Sequence, residues 1–214
     1  RDGDRSLDQA VSVSCDLVSI RGDLLDRLRQ RLAGKIEGLD VDKVFLNATH
    51  THTAPVAYED HRYDIPETGA MTPGEYIDFL LGKLEQAVAE SWSRRQPGKV
   101  GYGQGQAVVA QNRRATYADG TAQMYGKTDV AEFRGIEGQE DHDLGVLFFW
   151  DMQDQLVATA VNVPCPSQEV EGLGVVHADF WDPVRRQLRE RHGAGLHVVA
   201  WTGAGGDVVP RPMH

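Results

Sequence analysis

Cysteine is scarce in this sequence. Cys15 and Cys165 are the only two in 214 residues, and neither stands in a CxxC pair, so a disulfide framework and a cysteine-rich zinc finger are both excluded. Two thiols leave the redox compartment open. No apolar run approaches the ~20 residues of a membrane-spanning helix. Positive charge is also short, with 22 Lys and Arg against 32 Asp and Glu, for a formal net charge of -10. That balance argues against a general affinity for nucleic acid or an anionic membrane surface, each of which needs a basic face. Internal repeats and low-complexity tracts are not found. With 41% hydrophobic and 25% charged residues and a mean hydropathy of -0.41, what remains is an ordinary globular composition, long enough for a substantial core. One domain over 1–214 is expected, incomplete at both ends, because the chain opens on Arg1 and stops just after a glycine-rich turn.

What is present is a strand that ends in histidines. The apolar run Val44-Phe45-Leu46 leads into Asn47-Ala48-Thr49-His50-Thr51-His52-Thr53-Ala54-Pro55, the pattern of a buried strand delivering its polar end to a sheet edge. Side chains alternate along an extended segment, so His50 and His52 are expected on one side, about 7 Å apart, where both address one metal ion or one carbonyl. A bare HxH is also compatible with two hydrogen-bonded fold histidines.

Around it the chain reads as mixed α/β. Val11 to Leu17 alternates as a strand, Leu24, Leu25, Leu28 and Leu32 repeat at helical spacing with Gly34 to close the helix, and the histidine strand completes a βαβ beginning. A long polar loop runs from Ala57 to Thr72. Thr72-Pro73-Gly74-Glu75 then carries an N-cap, a proline at the first helical position and a capping-box glutamate for a helix to about Arg95. Lys99 to Ala110 is strand-like, Asp119-Gly120 marks a hairpin, and Leu144–Trp150 with Leu156–Val163 forms a second hairpin. Pro183–His192 reads as a helix. Leu196–Trp201 is a last strand, ending in Thr202-Gly203-Ala204-Gly205-Gly206-Asp207. Hairpins mixed with crossovers predict a mixed sheet in place of a purely parallel one.

Four strand exits collect the chemistry-bearing residues: His50 with His52, Asn112 with Arg113, Asn162 with Cys165, and Asp207. Converged, they form a hydrolytic set of imidazoles, a guanidinium and an acid. Each also has a bland role, Cys165 as a small buried hydrophobe and Asp207 as a helix cap among them.

In order along the chain, these pieces resemble the N-terminal catalytic domain of the neutral/alkaline non-lysosomal ceramidase family. Thr49-His50-Thr51-His52-Thr53-Ala54-Pro55 is similar to the family's THTHSGP, Asn112-Arg113 to its NR segment, and Gly145 to Phe149 with Asn162 to its long hairpin before an asparagine. Ala178-Asp179-Phe180 and Gly205-Gly206-Asp207-Val208-Val209-Pro210 are similar to its ADF and GDVSP stretches. The resemblance implies mixed β-sheets packed between helices, in four αββα layers, and a zinc-dependent amidohydrolase with about one zinc per chain. It implies a small-molecule or lipid-like N-acyl substrate and a secreted or periplasmic setting. His50 is then a zinc ligand, His52 and Arg113 act on the developing oxyanion, and Asp207 orients His52 or a ligand. Two positions depart. No histidine stands directly after the Asn162 strand, in Val163 to Glu169, and Val209 stands where the serine is expected. His177 and Cys165, and more weakly Glu169, are the candidates to complete the metal shell. A degenerate, non-catalytic binding or interaction module is the alternative, and the oligomeric state is left open.

Overall fold

The structure, a computed structural model, describes residues 8–58 and 69–212, so most of the polar loop expected between Ala57 and Thr72 lies outside the described residues. Strands β1 (Val11–Cys15) and β2 (Val44–Ala48) pair in parallel, Val11 opposite Val44 and Cys15 opposite Ala48. A parallel pair requires a crossover, which α1 (Leu24–Leu32) provides. Its Leu24, Leu28 and Leu32 are buried, one face at the i, i+4 spacing the sequence shows. Helix α2 (Pro73–Ser93) opens on the expected capping box, Thr72 Oγ1 accepting from Glu75 N while Glu75 accepts from Thr72 N. Ile77, Leu81, Leu84 and Val88 face a first core with α1, β1 and β2. Leu80 is only partly buried.

The larger sheet has the order β10-β9-β8-β3, from β3 (Lys99–Gln106), β8 (Asp143–Trp150), β9 (Leu156–Val163) and β10 (His197–Thr202). β3, β8 and β9 run antiparallel in turn, whereas β10 is parallel to β9, reached through α3 (Trp181–His192). Both expected hairpins form. β5 (Arg114–Tyr117) reverses through Asp119-Gly120 into β6 (Ala122–Met124) and also pairs with β7 (Phe133–Ile136). A two-residue pair, β4 (Gln111–Asn112) with β11 (Val208–Val209), closes the set. A second core gathers Ala110, Val163, Cys165, Trp181, Ala200 and Val208.

The two sheets meet through polar groups. Asn47 donates from Nδ2 to Ala200 O at 3.0 Å, Trp201 from Nε1 to Ser12 Oγ at 3.1 Å, and Arg185 grips Asp16 with both terminal nitrogens at 2.7 and 2.9 Å. No described helix is long and apolar enough to cross a membrane.

Candidate functional site

β2 stops at Ala48, two residues before the first histidine. His50 takes a left-handed backbone, φ 61°, so strand alternation does not bring the imidazoles together as the sequence suggested. The kink does, with ring centroids 4.9 Å apart and planes at 63°. Thr49, Thr51 and Thr53 are buried between them. Thr51 and Thr53 both donate from Oγ1 to His177 O at 2.8 Å, and Ser167 donates to Thr49 O at 2.8 Å. The threonines thus clamp the segment to the 165–177 loop while the histidines alternate out of the clamp. Burial first, then the neighbouring His52, holds the His50 imidazole below the usual histidine value. That shift favours the neutral imidazole, the form that offers a lone pair to a metal.

Arg113 arrives from the short β4–β11 pair, its N–H bonded to Asp207 O at 2.9 Å. The side chain is only 8% exposed. Nη1 donates to Tyr125 Oη at 2.5 Å and Gln168 Oε1 at 3.0 Å, and Nη2 to Gly206 O at 3.0 Å. Its Nε is buried without a hydrogen-bond partner. His52 joins through the same amide: its Nδ1 lies 3.4 Å from Gln168 Nε2 and 3.3 Å from Glu171 Oε2.

Asp207 shares the turn but not the task expected of it. Its Oδ2 accepts from Asn112 Nδ2 at 3.2 Å, and the carboxylate beside His52 belongs to Glu171. None of the glycines before it, Gly203, Gly205 and Gly206, has positive φ. Instead, a Cβ on Gly203 would lie 3.1 Å from Pro164 Cα, and one on Gly205 3.0 Å from Pro166 Cδ. The close approach is to the chain itself.

His177, Cys165 and His50 do not form one metal shell: among the described residues no three His, Cys, Asp or Glu side chains are placed to hold one ion. The reasons are local. His177 Nδ1 accepts from Asp179 N at 2.9 Å, so that imidazole nitrogen is committed to its own loop. Cys165 is 1% exposed in the second core, and burial, then the Asp179 charge, pushes its thiol up to about 12. Glu169 lies 3.9 Å from Arg211. The described residues therefore do not form a zinc shell by themselves.

Three contributors were not singled out in the sequence: Gln168, Glu171 and Tyr125. A fourth, Asp179, stands in the ADF stretch. Its 1% exposed carboxylate accepts from the N–H groups of Glu169, Val170 and Phe180 at 3.1, 2.9 and 2.8 Å, fixing the loop that carries Gln168 and Glu171.

No family model matches the sequence. Neutral ceramidase of Pseudomonas aeruginosa is 27% identical over 161 residues, 73% of this chain and 22% of that protein. The crystal structure of the Pseudomonas aeruginosa enzyme matches with a TM-score of 0.72 at 19% identity, covering 94% of this chain and 31% of that chain. A ceramidase complexed with C2 matches at 0.71 and 18% identity, over 94% of this chain and 30% of the other. The chain thus spans less than a third of the length of these relatives, and over that span it resembles neutral ceramidase in sequence and shares its fold.

Proposed function

We propose that the protein hydrolyses the amide bond of a ceramide-like N-acyl lipid, with this chain forming one wall of the active site. The observation that carries the reading is the approach of His52 and Arg113 to one buried amide, Gln168, with the His50 ring 4.9 Å from that of His52, in a chain similar to neutral ceramidase. Hydrolysis of an amide places negative charge on the carbonyl oxygen in the transition state. Arg113, its guanidinium fixed by Tyr125, Gln168 and Gly206, supplies a positive charge of fixed position for that oxygen, and His52 supplies an imidazole able to hold or pass a proton. A secreted or periplasmic setting belongs to the same proposal and rests on the resemblance alone.

Zinc dependence is the finer part of the reading. His50 is its one candidate ligand from the described residues, and further ligands would have to come from elsewhere in the protein. A non-catalytic binding module is the second reading, favoured by Cys165 and Val209, both buried in packed positions where the resemblance expects a histidine nearby and a serine.

The test uses the full-length protein. Release of fatty acid from an N-acylsphingosine, together with about one zinc per chain, is the expected result, and His50→Ala should lose the metal while the fold is kept. A protein that carries no zinc and releases no fatty acid is the binding module instead.

A further inference from the structure

The loop that closes over the histidines carries a carboxylate whose bonds are all accounted for. This inference rests on the site reading of His52 given above. Arg113 Nη1 can only donate, so the Gln168 side chain must face it with Oε1, at 3.0 Å. That fixes the other end of the amide. Nε2 then donates to Glu171 Oε2 at 3.2 Å; it also lies 3.4 Å from His52 Nδ1, where it could donate only to a lone pair, so the amide and the carboxylate compete for the tautomer of that ring. The second oxygen, Glu171 Oε1, accepts from Arg211 Nη2 at 2.9 Å, and the same nitrogen also reaches Gln168 O at 2.9 Å. Held by a guanidinium and an amide, the carboxylate is an acceptor only. His52 Nδ1 stands 3.3 Å from Oε2. A lone pair on Nδ1 would be repelled by that oxygen, whereas an N–H there is attracted to it.

We propose that Glu171 is a positioning residue that holds His52 as its Nδ1–H tautomer, leaving Nε2 as the free acceptor of the ring, and that Gln168 ties this pair to Arg113. The imidazole and the guanidinium then keep one mutual orientation, because the amide that accepts from Arg113 donates to the same carboxylate oxygen that faces His52 Nδ1. A carboxylate that orients an imidazole through its far nitrogen is a common device for fixing which nitrogen carries the proton.

The experiment is side-chain nitrogen NMR on the full-length protein with labelled histidine, the His52 signals among the 8 histidines being assigned by their loss in His52→Ala. The expected wild-type pattern is Nδ1–H. In Glu171→Gln, whose amide can donate as readily as accept, the pattern should move toward Nε2–H. In Glu171→Asp, which keeps the acceptor, it should stay Nδ1–H. An Nε2–H pattern in the wild type, or no change in Glu171→Gln, overturns the proposal. With an amide substrate, Glu171→Gln should lower kcat about tenfold with KM little altered, and a loss confined to KM overturns it as well. If the wild type hydrolyses no amide, the proposed function fails, and the spectrum still decides the pairing.

Discussion

Arg113 is the most heavily tied side chain of the candidate site. Its fork reaches three partners drawn from the β5–β6 hairpin end, the 165–177 loop and the Asp207 turn. A lysine keeps the charge but has no planar fork, so it cannot serve all three and still present a directed donor. Arg113→Lys is expected to lower kcat by roughly 10 to 1,000-fold with a smaller change in KM, measured on the full-length protein with an N-acyl substrate. A loss in KM alone makes the residue a substrate anchor instead. The sequence made His50, His52 and Arg113 legible, because imidazoles and a guanidinium at strand exits are conspicuous by type. Gln168 and Glu171 were not legible. An amide and a carboxylate in a polar loop look like solvated loop residues, and only the fold brings them to His52, 116 residues away from Gln168 in the chain.

Elements differ in how plainly the sequence announces them. The βαβ start, the capped α2 and the β8–β9 hairpin were readable because periodicity and turn residues repeat over many positions. The β4–β11 pair was not, since two residues on each side carry no period, yet this pair is what sets Arg113 beside the Asp207 turn. Val209 explains part of the departure from the ceramidase-like stretch. It is 3% exposed and registers opposite Gln111, so its side chain is packed apolar volume. Val209→Ser, which would recreate the expected GDVSP, should destabilise the fold by about 1–3 kcal/mol, through lost apolar burial and a hydroxyl taken out of water. Chemical denaturation of the two proteins checks this. A serine variant as stable as the wild type would mean that the position already offers a hydroxyl partner, and the site reading of that turn would gain a residue.

For the whole molecule, the division into two cores matters most. The first core joins α1, α2 and the two-stranded β1–β2 sheet, while the second joins α3 to the larger sheet, and hydrogen bonds and the Asp16–Arg185 ion pair lie at the seam between them. The candidate site stands on the same seam, where the threonine clamp meets the 165–177 loop. The two cysteines happen to report one core each, Cys15 at 5% and Cys165 at 1% exposure. Burial above all pushes both thiols from 9.0 up to about 12. In the folded state neither is a thiolate at pH 8, so both should resist a thiol reagent until their core opens. The linkage has a definite sign. Between about pH 9 and 12 the unfolded chain releases protons that the folded chain keeps, so the stability present in full below pH 9 is lost as pH rises through that window. Opening should not be symmetric. A two-stranded sheet is marginal without a neighbour, whereas four paired strands with a helix can persist. In a denaturant series followed by mass spectrometry of the labelled peptides, Cys15 is therefore expected to label at the same denaturant concentration as Cys165, or at a lower one. Labelling of Cys165 while Cys15 stays protected would mean that the histidine strand and its two helices form the sturdier half, and that the 165–177 loop is held on them by the clamp and not by the larger sheet.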